Sequence, residues 1–381
     1  MRKIPLKDLK AGVVLDEDIL STDLQLLLRR GSKLNDYIIN KLLERGIEFV
    51  VTASTQFEQR EDVSLDEHHF LVQVRKNINR VYERSEIESV LPQELLEKTV
   101  EVLREIFKDS RMGIFQNLDK LHEEVEMLLK EVVSTSGRAI NIYSLANYSD
   151  FLFFHAVNVA TLMTILYRDD PAWSLLKKDI ALGALLHNIG MMRIPVSIFN
   201  KPGQLTQREF SMVMEHPRYS YQMVKDNTDV SQDVLKMVLE HHERFDGSGY
   251  PQRLTGDAIH PLSLMLSICD TFIALTSERL HRKKLSPNQA ISNIIIRSFD
   301  IFGSQTVNQF LRVVGLYPVG SLVKLNDGRF AVVFAISGEH LTRPIVKVVY
   351  DQKFNQIDPP EMIDLSKSTE SYILSPINLY V

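Results

Sequence analysis

A single cysteine, Cys269, stands among the 381 residues of this chain, which excludes an internal disulfide framework and fits a reducing compartment. Its neighbours Leu266, Ile268 and Ile273 mark the thiol as a buried, inert packing group and not a nucleophile. No run of about 18 apolar residues occurs, so no membrane-spanning helix is expected. The opening MRKIPLKDLKAGVV has charges but no apolar segment behind them; no signal peptide is read, and a cytoplasmic location is expected. Basic residues are not in excess either: 44 Lys and Arg face 49 Asp and Glu, a net charge of −5, which argues against a nucleic-acid polymer held by bulk electrostatics. A local cationic pocket for a small phosphate ligand stays open. Fixed-period repeats and low-complexity segments are lacking, so solenoid and fibrous architectures are set aside.

What is present is the composition of a soluble globular chain, 44% apolar and 24% charged, long enough for two or three domains. Residues 1–60 read as a small α+β module of regulatory or structural kind: strand-like pieces Gly12–Ile19 and Gln25–Leu28, a helix Asp36–Arg45 closed by Gly46, and a strand Glu48–Thr52. Residues 61–140 turn helical, with one apolar and one charged face, and suit either a linker or a dimerisation seam. His68, His69 and His122 lie there among charged neighbours and read as surface residues. Residues 317–381 form a small β extension, with a hairpin of Gly320–Leu325 and Arg329–Ala335 around Asn326-Asp327-Gly328 and a third strand Pro344–Val349.

Between these lies a core, residues 141–316, whose helices end in ligand-type side chains. Ser149-Asp150 should cap a helix that carries Phe151, His155, Val159 and Leu162 along one side. The next helix, Asp179–Gly190, is apolar almost all round until His187-Asn188. Thr206-x-x-Glu209 is a capping-box pattern opening a helix expected to end at His216-Pro217. Pro261 opens a helix with Leu266, Asp270 and Ile273 on one face, where an unpaired acid would be costly. Ser286-Pro287 caps a further helix, Asn288–Phe302.

The densest chemistry is Glu240–Pro251, read EHHERFDGSGYP. Val234, Leu235, Val238, Leu239 and His242 recur at helical steps, which places the adjacent histidines at a helix C-terminus against a glycine-loosened turn. Taken singly, each histidine has an ordinary reading: His155 as a satisfied core residue, the His241-His242 pair as partners of a helix dipole. Collected, His155, His187, Asn188, His216, His241, His242 and Asp270 supply more nitrogen and oxygen donors than one tetrahedral zinc uses, which suggests two metal ions.

The strings LLHNIGMMRIP, NKPGQLT, HHERFDGSGYP and CDTFIALTSER, in that order, resemble the HD-GYP family of bacterial cyclic di-GMP phosphodiesterases. The resemblance implies a mainly α protein with an all-helical HD-type phosphohydrolase core, holding two and sometimes three divalent ions, iron or manganese foremost. It implies hydrolysis of cyclic di-GMP, or of 3′,3′-cGAMP, to linear pGpG or on to GMP by a two-metal-activated water. Carried over residue by residue, His155, His187 and Asp270 would serve one ion, and His216, His241 and His242 the other. Asn188 occupies the position of the bridging carboxylate. Gly249, Tyr250 and Pro251 form the turn beside the pocket, and Arg279 and Arg282 match the residues that meet substrate phosphates. A homodimer and signalling partners of GGDEF or other type are compatible with this reading.

Four positions depart from the pattern. Asn188 replaces the aspartate of the His-Asp pair, and a neutral amide cannot readily bridge two cations. Met191 replaces a lysine that would polarise the scissile phosphate. Ile273 stands where a second acid follows Asp270, and Phe151 stands where a carboxylate would serve a third ion. A catalytically impaired sensor or scaffold that binds metal, cyclic di-GMP or a partner protein is therefore carried as the alternative.

Overall fold

The computed structural model describes residues 2–15, 19–21, 26–28, 31–52, 65–87, 89–134, 151–199, 201, 203–277, 285–336 and 340–377. Ser149, Asp150, Arg279 and Arg282 lie outside these residues.

The amino-terminal strands β1 (Arg2–Pro5), β2 (Ile19–Leu20), β3 (Leu26–Leu28) and β4 (Phe49–Thr52) form one sheet in the order β1-β4-β2-β3. Helix α1 (Asp36–Glu44) packs beside it, capped by Asn35, whose side chain accepts from the Ile38 amide at 2.8 Å. Leu6, Leu15, Ile19, Leu34 and Val50 give this unit a core of its own. Of the strand expected over Gly12–Ile19, the described residues 12–15 show a single bridge, Val14 to Lys33, and strand is present at Ile19; residues 16–18 lie outside the described residues. Gly12, at φ +92°, takes a left-handed conformation that interrupts extension.

Four helices follow: α2 (Leu65–Lys76), α3 (Ile78–Arg84), α4 (Gln93–Ser110) and α5 (Leu118–Ser134). The apolar faces of the last two, with Val100, Leu103 and Phe107 on α4 and Leu121, Val125 and Leu128 on α5, are fully or almost fully buried. They pack on α6 (Phe151–Tyr167) and α7 (Lys177–Leu186), so this stretch builds the wall of the helical core. Helix α6 is apolar on every side and accordingly central, touching α4, α5, α7 and two later helices.

Helix α7 stops at Leu186, short of the expected Gly190, and a 3₁₀ turn, Ile189–Arg193, carries the chain away. Short helices α8 (Val196–Phe199) and α9 (Gln207–Val213) come next. Thr206 and Glu209 form the expected capping box on α9. The helix does not reach His216-Pro217, however. Those residues open α10 (His216–Asn227), because proline lacks an amide proton and is tolerated only in a first turn. Then follow α11 (Gln232–Glu240), α12 (Pro261–Thr276), α13 (Pro287–Phe302) and α14 (Ser304–Val314). Both α12 and α14 pack on α6.

The carboxy-terminal strands β5 (Leu322–Leu325), β6 (Phe330–Ala335), β7 (Ile345–Tyr350), β8 (Gln356–Asp364) and β9 (Ile373–Pro376) form an antiparallel sheet in the order β8-β7-β6-β5-β9. Strand β8 escapes a sequence reading because Pro359 and Pro360 interrupt it, which an edge strand tolerates. Helices α2 and α3 clasp this sheet. The Phe70 ring lies 4.7–4.9 Å from Phe330, Tyr350 and Phe354, Lys324 pairs with Glu67 at 3.2 Å, and the Tyr82 hydroxyl donates to the Gly320 carbonyl at 3.1 Å. Phe49 on β4 meets Tyr372 at 5.7 Å. Among the described residues no helix is long and apolar enough to cross a membrane.

Candidate metal centre

Three of the histidines share one local device. His187 follows the last residue of α7, His216 stands three residues past the end of α9's last turn, and His241 follows the last residue of α11. The last carbonyls of a helix lack intrahelical partners, and each imidazole takes one of them three residues back. His187 Nδ1 lies 2.6 Å from the Ala184 carbonyl, His216 Nδ1 2.7 Å from that of Val213, and His241 Nδ1 2.6 Å from that of Val238. A carbonyl can only accept, so the proton of each neutral ring sits on Nδ1 and leaves Nε2 as a bare lone pair. Metal-ligating histidines are oriented by this kind of outer bond.

Those lone pairs converge. His155, His187 and Asp270 place one ligand atom each within 4.8 Å of the others, and so do His216, His241 and His242. His155 Nε2 is 2.8 Å from Asp270 Oδ1, and His187 Nε2 is 3.8 Å from the same oxygen. The two triads adjoin, with the His187 and His241 rings 5.1 Å apart. His155 comes from the middle of α6 and Asp270 from α12, so the mutual packing of those two helices brings residues far apart in sequence together.

Electrostatics keep the lone pairs available. Burial lowers His216 to about 4, and burial followed by neighbouring imidazoles holds His241 and His242 well below the ordinary range, so all three are neutral near pH 7. Burial pushes the Asp270 carboxyl up, but the hydrogen bond from His155 Nε2 outweighs it and leaves the group a carboxylate.

The donor set fits a cation. His216 Nε2 and His241 Nε2 face each other at 3.2 Å, although both Nδ1 protons are committed to carbonyls. Two lone pairs with no proton between them repel, and an ion between them removes the conflict. Two nitrogens about 2.1 Å from one tetrahedral ion stand about 3.4 Å apart, close to the observed spacing.

The remaining sequence-predicted residues fall around this centre. Asn188 is half-buried, with Nδ2 2.7 Å from His187 Nε2, so its amide rather than a carboxylate meets the ligand nitrogen. Met191 is half-buried against the apolar core, Ile273 is buried, and the Phe151 ring stacks on His155 at 5.5 Å. The Tyr250–Pro251 peptide is cis, and the Tyr250 ring stacks on His242 at 4.8 Å and 29°. Gly249 is a glycine for want of room: a Cβ there would stand 2.4 Å from the Arg244 nitrogen and 2.5 Å from the Glu243 Cα.

Sequence reasoning passed over Glu240, Glu243 and Arg244. Glu240 and Glu243, 6% and 0% exposed, bracket the histidine pair. The Glu240 carboxylate accepts from the His260 amide at 2.9 Å and the Ser263 hydroxyl at 3.1 Å, tethering the start of α12. Arg244 donates to the Ser267 hydroxyl, one turn before Asp270, and lies over the Phe302 ring at 5.1 Å. The available signal was two acids flanking ligands at the end of an apolar helix face, positions where an acid must be satisfied from elsewhere.

Residues 140–300 match the family model described as HD domain, and residues 322–380 match one described as a KOW domain associated with HD domain. The helical core is thus an HD domain, its histidines and aspartate gathered as two adjoining triads. Among curated proteins the chain is 34% identical to a cyclic di-GMP phosphodiesterase of Pseudomonas aeruginosa, over 70% of this chain and 64% of that protein. It is 29% identical to the cyclic di-GMP phosphodiesterase response regulator RpfG of Xanthomonas campestris, over 59% of this chain and 60% of that one. To a 3′3′-cGAMP-specific phosphodiesterase of Vibrio cholerae it is 33% identical, over 44% and 38%. The chain thus spans less than two thirds of the length of each of these relatives. Bd1817, a HDG"Y"P protein from Bdellovibrio bacteriovorus, aligns in three dimensions over 81% of this chain and 97% of its own, with 18% identity and a TM-score of 0.47. The strings that resemble the HD-GYP family fall within this HD-domain match, in a form that reads His-Asn where that family's pair is His-Asp.

Proposed function

We propose that the chain is a metal-dependent phosphodiesterase that opens a cyclic dinucleotide, cyclic di-GMP or 3′,3′-cGAMP, to linear pGpG or on to GMP. The observation that carries this reading is the facing pair of imidazole lone pairs on His216 and His241, 3.2 Å apart, beside the triad of His155, His187 and Asp270. The activities of the relatives supply the substrate class. Two divalent ions, iron or manganese, are assigned to the two triads. When bound they supply positive charge to the non-bridging phosphodiester oxygens and acidify a water for in-line attack.

The chain's own residues then do the following. His187, His216 and His241 present fixed lone pairs because their Nδ1 protons are held by carbonyls. Asp270 contributes the one negative charge of the donor set. Gly249, Tyr250 and Pro251 wall the site beside His242, and Arg279 and Arg282 take substrate phosphates. The HD domain, assigned to residues 141–316, carries the chemistry in the cytoplasm, with residues 1–60 regulatory and residues 61–140 and 317–381 bracing it. A homodimer or a GGDEF-type partner would act through those outer segments.

One observation favours a second reading, a sensor or scaffold that binds without turnover: the amide nitrogen of Asn188 faces His187 where a bridging carboxylate would stand. The test is reconstitution with Fe²⁺ or Mn²⁺ under oxygen-free, reducing conditions and chromatography of cyclic di-GMP, with Asn188→Asp alongside. Turnover by the native chain above the metal-free control upholds the enzyme. A silent native chain with an active Asn188→Asp variant makes the protein a binding member of its family.

A further inference from the structure

His242 is held differently from the other histidines of its triad. His216 and His241 are each oriented by a bond from Nδ1 to a carbonyl, whereas among the described residues the His242 ring makes ring contacts and no hydrogen bond. Its most parallel neighbour is Tyr250, stacked at 4.8 Å and 29°; the His216 ring stands nearly perpendicular to it at 5.0 Å and 80°. The adjacent His241 ring lies at 4.2 Å and 43°, and Tyr250 is the loop's share in holding His242, so what fixes Tyr250 helps to fix His242.

Tyr250 sits in a loop without regular structure, and one buried carboxylate organises that loop. Glu243 Oε1 accepts from the Gln252 amide at 2.5 Å and the Arg253 amide at 3.1 Å, and Oε2 accepts from the Leu254 amide at 3.0 Å. Three consecutive backbone donors thus converge on a side chain with 0% exposure, and Arg253 takes φ +58° to make the turn. The Tyr250 amide donates to the His242 carbonyl at 3.1 Å, and Arg218 on α10 donates to the Pro251 carbonyl at 3.0 Å. The loop is folded back onto the residues that precede it, with Glu243 at the fold.

We propose that Glu243 is a positioning residue for the second triad: through the loop 250–254 it sets the Tyr250 ring, and the Tyr250 ring sets the imidazole of His242. This rests on the metal-centre reading above. It separates the two triads, because the rings that Tyr250 meets, His242 at 4.8 Å and His216 at 6.5 Å, both belong to the second. An amide at position 243 keeps the size of the carboxylate but turns one acceptor oxygen into a donor facing N–H groups, so the loop loses its anchor. Losing an outer-shell support of this kind typically weakens metal binding by about 10–100-fold.

The experiment is Mn²⁺ titration of the full chain by calorimetry, repeated with Co²⁺ by visible absorption, on the native protein, Glu243→Gln, Tyr250→Ala and the double variant. The native protein is expected to take two ions. Glu243→Gln and Tyr250→Ala should each weaken one ion by about 10-fold or more and leave the other within about two-fold. The double variant should lose no more than the worse single one, since both changes remove the same stack. Tyr250→Ala leaves every bond of the Glu243 carboxylate in place, so it decides the matter if Glu243→Gln does not fold. Native-like binding of both ions by Tyr250→Ala overturns the proposal, and so do losses that multiply in the double variant. If the native chain takes up no ion of either kind, the metal reading falls and this inference with it.

Discussion

Gly190→Ala tests how closely α10 is registered against the turn that follows His187. Gly190 lies in the 3₁₀ turn Ile189–Arg193, and its amide donates to the Ser220 hydroxyl at 2.9 Å. A Cβ at this position would stand 2.2 Å from the His216 carbonyl oxygen, 2.5 Å from the Ser220 nitrogen and 2.8 Å from the Ser220 Oγ. Carbon and oxygen in contact stand about 3.3 Å apart, so turn and helix must part by about 1 Å. Two of the three obstacles are backbone, and no rotamer change relieves them. Overpacking of this kind costs about 1–3 kcal/mol, to which a weakened Ser220 bond adds about 1. At roughly 2–4 °C per kcal/mol for a large domain, melting should fall by about 4–16 °C. The displaced backbone is that of His216, and a ligand moved by about 1 Å lies far outside the tolerance of about 0.2 Å for a metal bond. Scanning calorimetry and Mn²⁺ titration of the variant should therefore show both a lower melting temperature and weaker binding at one ion. Gly113→Ala is the control, because nothing lies within 4 Å of its Cβ and φ is +75°: it strains the backbone and leaves metal binding alone. A Gly190→Ala protein that melts within about 1 °C of the native one and binds both ions normally would refute the reasoning.

Asp270→Asn keeps the shape of the side chain while removing the carboxylate 2.8 Å from His155. One of two Mn²⁺ ions should be lost by about 100-fold or more, with the other changed far less; equal losses at both would place Asp270 between the triads. Glu209 gives a pH prediction: hydrogen bonds from Lys201 and Thr206 lower it from 4.5 to about 2 in the folded chain. Its support for α9 is thus complete above pH 4.5 and lost as pH falls from there toward 2, and Glu209→Gln should flatten that part of the amide-exchange profile of residues 207–213. Phe70→Ala removes a half-buried ring that touches Phe330, Tyr350 and Phe354, and should cost about 2–3 kcal/mol in urea unfolding, less than the roughly 3–5 kcal/mol of a fully buried phenylalanine because the ring is only half-buried. A loss below about 0.5 kcal/mol would mean that α2 does not brace the sheet.

What could be read in the sequence was whatever a local signal writes. Asn35, Thr206, Ser231 and Ser286 cap helices because their side chains reach amides three residues on, and that reach is a property of a few consecutive residues. The candidate ligands were legible for a similar reason: histidines at the ends of apolar helices are out of place unless something uses them. Packing partners were not legible. The apolar faces of α4 and α5 fitted a linker or a second copy equally well, and only the three-dimensional arrangement commits them to α6 and α7. Glu240 and Glu243 were passed over, since a sequence does not display the amides at positions 252–254 and 260 that satisfy them. Strand β8 was hidden by its prolines, which speak against a central strand and are silent about an edge.

The clasp of α2 and α3 on the carboxy-terminal sheet, together with the approach of Phe49 to Tyr372, brings the first and last parts of the chain onto each other. The order of domains along the chain is therefore not the order in which they lean on one another: the path from the amino-terminal sheet to the far sheet is a few ångströms through space and some three hundred residues along the backbone. A ligand or partner that shifted the first sheet would load the last one directly, and the metal triads would feel it from both sides, through α4 and α5 as well as through α13 and α14. Cutting the chain at the edges of the HD domain would remove both arms of that frame at once, so a trimmed domain reports on the chemistry of the triads and not on how the whole chain sets it.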